Sequence, residues 1–120
     1  MPKSKSKSPA PKELSDEALA LIAGRFKLLS EVLRLKLLIQ LELGEKNVTE
    51  LMLATGATQT NVSRHLQSLA EAGILSRRKA GQSVYYQISD PGVFDLCKHV
   101  CGSLQRRFEE QARATREFAG

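Results

Sequence analysis

Tryptophan is absent from this 120-residue chain, and aromatic residues make up only 5% of it. This composition argues against a protein that binds single-stranded nucleic acid by stacking bases on aromatic side chains. No apolar run approaches the roughly 20 residues that a membrane-spanning helix needs, and the first twelve residues contain no hydrophobic stretch typical of a secretory signal. Two cysteines are too few for a disulfide framework, so we expect reduced thiols and a cytoplasmic location.

Sequence motifs of catalysis and of common metal sites are also missing. The chain has no glycine-rich phosphate-binding loop, no HExxH pair and no four-cysteine zinc pattern. Its two histidines, His65 and His99, lie on different predicted elements without clear acid–base partners. We therefore expect that the protein is not an enzyme.

Positive charge is concentrated in two parts of the chain. The sequence carries 18 basic and 13 acidic residues, a net charge of +5. Residues 1–12 contain four lysines and no acidic residue, and residues 58–89 contain four basic residues against one acidic residue. A basic cluster inside a folded domain is typical of proteins that bind polyanions, although a solvated face gives the same pattern.

The composition divides the chain into a short arm and one domain. Residues 1–12 are rich in Lys, Ser and Pro without apolar periodicity, which predicts a disordered basic arm that acts as a solubilising tail. Residues 13–120 are long enough to bury one hydrophobic core and show no internal repeat. We expect residues 13–120 to form a single domain.

Apolar spacing in the first part of this domain predicts four helices. The first begins near Glu13, and the second, over residues 32–41, is apolar nearly all round and should be buried. A short helix over residues 49–54 is followed by Gly56 and by Thr58, which can cap the next helix. Two helices joined by such a short turn form a helix-turn-helix.

The second part predicts a β-hairpin and a long last helix. Residues 74–78 and 83–88 contain β-formers, and the turn over residues 79–82 separates them. Pro91 then fits the first turn of a final helix. The predicted fold is mainly α with a small β-hairpin, in the order α-α-α-α-β-β-α, which is a winged helix-turn-helix.

The helix opened by Thr58 is the candidate DNA-reading element. If its apolar residues face the core, polar side chains that pair with base edges and phosphates point outward, and the basic hairpin forms a wing that reaches flanking phosphates or the minor groove. His65 lies nearer the buried side, as a structural residue or a phosphate contact. The predicted DNA-binding residues are Thr58, Gln59, Thr60, Asn61, Ser63, Arg64, His65, Gln67, Arg77, Arg78, Lys79 and Gln82.

The last helix carries the candidate sensing residues, Cys97 and Cys101. Their spacing places both thiols on one face, which also carries apolar residues, so the alternative is two small core or interface residues. Side chains at i and i+4 have Cβ atoms ~5–6 Å apart, whereas a disulfide prefers ~3.5–4.5 Å. A thiophilic metal or metalloid ion would span the pair with less strain than a disulfide formed by a thiol oxidant.

Apolar stripes on the first and last helices predict a homodimer. The core of helix-turn-helix and wing is too small to cover both stripes, and a second copy related by a two-fold axis would bury them. The residues of the two stripes are Leu14, Ala18, Leu21, Val93, Leu96, Val100, Leu104 and Phe108.

Several stretches resemble the ArsR/SmtB family of winged-helix repressors over roughly residues 18–105. They are Phe26-Lys-Leu-Leu-Ser, Leu33-Arg34-Leu35, Gly56-Ala-Thr-Gln-Thr-Asn-Val-Ser-Arg-His-Leu66, Leu69-Ala-Glu-Ala-Gly-Ile-Leu75 and Gly81-Gln-Ser-Val-Tyr-Tyr86. The resemblance implies a homodimer that binds operator DNA through the outward residues from Gln59 to Arg64 and is released by a chemical inducer. We therefore expect a repressor of a palindromic operator; the alternative is a winged-helix module that binds proteins and no DNA.

Other residues occupy the metal-binding positions that the family resemblance implies. The Cys-x-Cys that precedes the helix-turn-helix in the family falls on Asn47 and Thr49, and a second zinc site falls on Asp90, Gly92, Ser103 and Arg106. Of these, only Asp90 keeps a ligand-type side chain, so neither of these two sites is predicted here. A thiophilic ion at Cys97 and Cys101 remains the one cofactor that the sequence suggests.

Overall fold

A computed structural model describes residues 13–119. The predicted basic arm, residues 1–12, lies outside the described residues. The described chain forms α1 (Asp16–Leu28), α2 (Val32–Glu42), β1 (Lys46–Asn47), α3 (Val48–Thr55), α4 (Gln59–Glu71), β2 (Leu75–Ala80), β3 (Ser83–Ile88) and α5 (Gly92–Ala119). The predicted mainly α winged helix-turn-helix is confirmed, with β1 as an additional strand. Between residues 13 and 119, no helix is long and apolar enough to cross a membrane.

Short side chains and one glycine determine the bounds of the helix-turn-helix. Asn47 and Glu50 cap the start of α3 reciprocally: Asn47 Oδ1 accepts from the Glu50 amide at 2.9 Å and Glu50 Oε1 accepts from the Asn47 amide at 2.8 Å. Gly56 ends α3 at a φ of 76°, where a side chain would be strained. Thr58 then caps α4, accepting from the Asn61 amide at 3.3 Å, as the sequence predicts.

The end of α4 leads directly into the wing. Gly73 has a φ of 81°, and its amide donates to the Ala70 carbonyl at 3.0 Å. The Ile74 amide donates to the Leu69 carbonyl at 3.0 Å, which completes a Schellman motif. Ile74 is fully buried. The buried Ile74 fixes the direction in which β2 leaves α4.

The wing is an antiparallel sheet in the order β1-β3-β2. Its turn consists of Gly81 and Gln82 alone, since Ala80 pairs with Ser83. The predicted four-residue turn is corrected: Lys79 lies on β2 rather than in the turn, because the φ of 63° at Gly81 permits a tight two-residue connection.

The core lies between α2, α3, α4 and the inner face of the sheet. It includes Leu37, Leu38, Leu41, Leu51, Val62, Leu66, Leu69, Ile74, Leu75, Tyr86 and Val93. The expectation that α2, apolar nearly all round, is a buried helix holds for one side only, because Val32 and Ile39 remain 69% and 58% exposed. In the described protomer, α2 packs on one side only, so part of its apolar surface faces outward.

Candidate nucleic-acid interface

The two faces of α4 differ sharply in chemistry. Val62, Leu66 and Leu69 are completely buried, as the sequence predicts. The opposite face is polar: Ser63 is half-buried, and the other residues of this face are exposed, namely Gln59, Thr60, Asn61, Arg64 and Gln67. Arg64 Nη2 donates to Asn61 Oδ1 at 3.0 Å, which links two predicted DNA-contacting side chains on one helical turn. The first turn of α4 contains no acidic residue that would repel phosphate.

The start of α4 and the tip of the wing face the same side of the molecule. They border a hollow of about 240 Å³ lined by Asn47, Val48, Thr49, Gln59, Gln82, Ser83 and Val84. Gln59 from α4 and Gln82 from the wing turn, both predicted to contact DNA, are therefore brought together. Asn47, at a position where the family resemblance implies a metal ligand, instead serves as the cap of α3.

Strand alternation divides the three wing cations between two faces. Arg77 lies opposite buried Tyr86 and Lys79 lies opposite Val84, so these two share one face of the sheet. Both side chains are exposed and form no ion pair with any residue between 13 and 119. Both are therefore available to phosphate, and their contact with DNA stays a prediction.

Arg78 lies on the other face and already has a carboxylate partner. Its Nε and Nη2 atoms donate to the two carboxylate oxygens of Glu45 at 2.9 and 2.8 Å. The guanidinium also lies 5.1 Å from the centroid of the Tyr85 ring. The hydrogen bond from Arg78 holds the pKa of Glu45 below its ordinary value. Sequence reasoning missed Glu45, which precedes β1 and carries no motif signal.

His65 belongs to the interior of the protein. It is only 5% exposed, and its Nδ1 accepts a hydrogen bond from Arg34 Nε at 2.8 Å. Its Nε2 lies 3.7 Å from Glu31 Oε1. The inclusion of His65 among the DNA-binding residues is therefore corrected to a structural position. Sequence reasoning missed Arg34 and Glu31 as its partners, although Arg34 lies in a stretch that resembles the family.

A second arginine connects α1 with α4 and α5. Arg25 Nη2 donates to the Ala72 carbonyl at 3.2 Å, at the end of α4, and Arg25 Nη1 lies 3.3 Å from Asp90 Oδ2. Asp90 also accepts from the Gly92 amide at 3.1 Å, at the start of α5. Asp90, at a position where the family resemblance implies a metal ligand, is here an ion-pair partner and a helix-capping residue.

The two cysteines lie on α5, and one of them, Cys97, lines an apolar groove. Cys97 is half-buried and Cys101 is exposed. The groove, about 210 Å³, is lined by Phe26, Leu29, Leu35, Leu96, Cys97 and Val100. Burial raises the pKa of the Cys97 thiol, and the carboxylate of Glu42 adds to the effect. Within residues 13–119, no three His, Cys, Asp or Glu side chains come together as a metal site.

A helix-turn-helix followed by a basic wing defines the class of winged helix-turn-helix domains. The family model described as "Bacterial regulatory protein, arsR family" matches residues 31–77. The chain is 35% identical over 83 residues to the transcriptional regulator NmtR of Mycobacterium tuberculosis, an alignment that covers 69% of each protein. The chain therefore belongs to the arsR family of bacterial regulatory proteins.

Two further similarities bear on fold and function. The arsenical resistance operon repressor of Escherichia coli K12 is 43% identical over 65 residues, which are 53% of this chain and 56% of the repressor. The homodimeric winged helix-turn-helix DNA-binding domain of Mb0332 from Mycobacterium bovis superposes with a TM-score of 0.67 and 32% identity, covering 82% and 94% of the two chains. The chain spans 42–57% of the length of three curated relatives named for mercury or arsenic resistance, about half.

Proposed function

We propose that the protein is a transcriptional repressor that binds a palindromic operator as a homodimer and leaves it when an inducer binds. The observation that carries this proposal is the polar outer face of α4, whose first turn is free of acid, above a completely buried apolar face. Relatives named as repressors and transcriptional regulators support it. A protein-binding module is not favoured, because a protein-binding face more often carries large apolar or aromatic anchors.

The side chains of α4 and the wing have different tasks in this proposal. Gln59, Asn61 and Arg64 have the hydrogen-bonding groups that distinguish base edges in the major groove. Arg77 and Lys79 are unpaired cations within the described chain, suited to phosphates. Sequence preference then comes from α4, and much of the salt-dependent affinity comes from the wing.

The apolar surfaces of α1 and α5 support a homodimer. Every residue of α1 is at least partly exposed, and its exposed apolar residues include Leu19, Ile22 and Phe26. On α5, Leu104 and Phe108 are 48% and 60% exposed. A two-fold arrangement buries such stripes on both copies and sets two α4 helices about 34 Å apart, one turn of DNA. The relative Mb0332, described as homodimeric, supports this assembly.

We place the response to the inducer at Cys97 and Cys101, with a thiophilic metal or metalloid ion as the inducer. The two thiols lie one helical turn apart on α5, and Cys97 lines the groove between α1, α2 and α5. The E. coli relative named for arsenical resistance supports a metalloid. Two thiols from one protomer leave coordination positions of the ion open. Thiols of the partner copy can fill these positions across the dimer axis. A shift of α5 would then change the spacing of the two α4 helices.

Selection of duplexes from a random DNA pool tests the proposed function for an operator of any sequence. We expect enrichment of an inverted repeat whose half-sites are about one helical turn apart. Mobility shifts with this selected duplex and with a scrambled duplex then measure specific and non-specific affinity. A pool that yields no enriched sequence contradicts the repressor assignment, and enrichment of an unpaired half-site contradicts the dimer.

A further inference from the structure

Arg34 lies at the junction of three helices. It belongs to α2, and its Nη1 donates to the Leu28 carbonyl at the end of α1 at 2.9 Å. Its Nε donates to His65 Nδ1 on α4 at 2.8 Å, and its Nη2 lies 3.4 Å from Glu31 Oε2. The side chain is only 13% exposed. Arg34 therefore joins α1, on the proposed dimer side, to the recognition helix without being placed to touch DNA.

The hydrogen bond to His65 fixes the chemical state of the imidazole. Because Nδ1 accepts from Arg34, the single proton of the neutral ring resides on Nε2, which faces Glu31 Oε1 at 3.7 Å. Burial lowers the pKa of His65, the charges of Arg34 and Arg64 lower it further, and Glu31 acts in the opposite direction. These are the charged groups that face the ring within residues 13–119.

We propose that Arg34 is a positioning residue for the recognition helix, which it holds through the Nδ1 atom of His65. This role rests on the proposed function. His65 immediately follows Arg64, so the anchor lies one residue from a predicted DNA contact. In the absence of the anchor, α4 keeps its apolar packing but loses its fixed orientation relative to α1, and sequence-specific contacts weaken more than contacts with phosphates.

Protonation of His65 should break this link selectively. A proton on Nδ1 turns the acceptor into a donor that points at the donating Nε of Arg34, and the two groups can no longer bond. Added positive charge favours binding to any DNA. Acid should therefore lower the ratio of specific to non-specific affinity while non-specific affinity is kept or increased. An arginine that only stabilises the fold would not lower the specificity ratio while non-specific affinity is kept or increased.

Three variants distinguish loss of the Arg34–His65 hydrogen bond from general effects of charge and of acid. His65→Asn places an amide oxygen near the position of Nδ1, so it retains an acceptor but does not titrate. Arg34→Lys keeps the charge but cannot contact His65, Leu28 and Glu31 together. His99→Asn makes the same substitution at the exposed histidine of α5 and serves as the matched control.

The experiment measures affinity for the selected and the scrambled duplex at about pH 7.5 and at successively lower pH, continued well below the ordinary imidazole pKa because the pKa of His65 is lowered. We expect the specificity ratio of the wild type and of His99→Asn to fall about tenfold on acidification, the scale of one hydrogen bond to a charged group. His65→Asn should lose less than about twofold, and Arg34→Lys should already have the low ratio at neutral pH, since the anchor is absent. Nitrogen-15 spectra of the wild-type imidazole should show the proton on Nε2 at neutral pH.

An acid loss in His65→Asn equal to that of the wild type overturns the proposal. A wild type whose ratio stays constant while nitrogen-15 spectra show that His65 gains its second proton overturns it as well. An unchanged neutral-pH ratio in a folded Arg34→Lys variant also overturns it. Circular dichroism checks the fold of each variant, and if Arg34→Lys does not fold, the two histidine variants still decide. Failure of the wild type to select any duplex is a different result, which removes the proposed function and the positioning role together.

Discussion

Arg78 and Glu45 form an ion pair with two hydrogen bonds across the base of the wing, with N–O distances of 2.9 and 2.8 Å. Because the positive charge of Arg78 is compensated within the protein, the wing cations are not equivalent toward DNA. Arg77 and Lys79, on the other face of the sheet, have no carboxylate partner among residues 13–119. A count of charges gives Arg77, Arg78 and Lys79 the same weight. The strand register places Arg78 on one face of the sheet and the other two on the opposite face.

Arg77 should contribute more to the salt dependence of DNA binding than the Arg78–Glu45 ion pair. Arg77→Gln should reduce the slope of log affinity against log salt by about 0.9 for each phosphate interaction that the substitution removes, once per protomer. The double variant Glu45→Gln, Arg78→Gln removes the pair without changing the net charge and should leave the slope nearly unchanged. Titrations of a scrambled duplex at several salt concentrations measure both. An equal decrease of slope in the double variant would show that Arg78 leaves Glu45 to bind DNA.

Arg64→Ala should remove sequence-specific binding without unfolding the protein. Arg64 lies on the outer face of α4 and its side chain contacts Asn61 on the same helix, so truncation leaves no core cavity. Removal of a base or phosphate contact costs about 1–3 kcal/mol at each half-site. Affinity for the selected duplex should fall accordingly, while thermal unfolding stays unchanged. Arg113→Ala, an exposed arginine on α5, is the control, and equal decreases in both variants would refute the assignment.

The cap of the recognition helix provides a test of stability. Thr58→Ala removes the hydroxyl that accepts from the Asn61 amide and should lower the free energy of unfolding by about 1 kcal/mol. Thr60→Ala removes an exposed threonine within the first turn and should have a much smaller effect. Urea unfolding of the two variants checks the difference. Equal destabilisation would mean that the hydroxyl of Thr58 does not stabilise the start of α4.

Local signals make much of this fold predictable. Thr58 and Gly73 act over a few residues through backbone geometry, so the bounds of α4 follow from the sequence. The strand β1 has only two residues, too few for a periodicity, and forms through pairing with Tyr85 and Tyr86. The sequence pattern places Lys79 in the turn because it does not reveal that two residues suffice to reverse the chain.

The site is predictable on one face of one helix and less so elsewhere. Helical periodicity separates Val62 from Arg64 correctly, since both lie on the same element. The pairing of Arg78 with Glu45 and of His65 with Arg34 depends on contacts between residues more than 30 positions apart. Periodicity along a single helix or strand carries no information about such pairs.

A charge within the apolar stripe of α5 should weaken the proposed dimer. Leu104→Glu would bury a carboxylate at the interface, which costs several kcal/mol unless a partner compensates it. Light scattering and sedimentation should show a monomer at micromolar concentration, with operator affinity reduced in parallel. Gln105→Glu, the neighbouring residue off the stripe, adds the same charge and should remain dimeric. Dimers of both variants would place the interface elsewhere.

The thiols of α5 should make operator binding sensitive to arsenite. Arsenite should weaken binding of the wild type to the selected duplex, and the double variant Cys97→Ser, Cys101→Ser should bind equally well with and without it. Since burial raises the pKa of Cys97 and metal binding requires the thiolate, the response should strengthen as pH rises from neutral toward that pKa.

Each single serine variant shows whether both thiols are needed, and hydrogen peroxide in place of arsenite distinguishes a thiol oxidant from a metalloid. A disulfide between these positions would strain the helix, because i, i+4 Cβ atoms lie ~5–6 Å apart. Peroxide should therefore act more slowly than arsenite. Retention of full operator binding by the wild type under both treatments would make Cys97 and Cys101 packing residues, and the inducer would then act at another site on the protein.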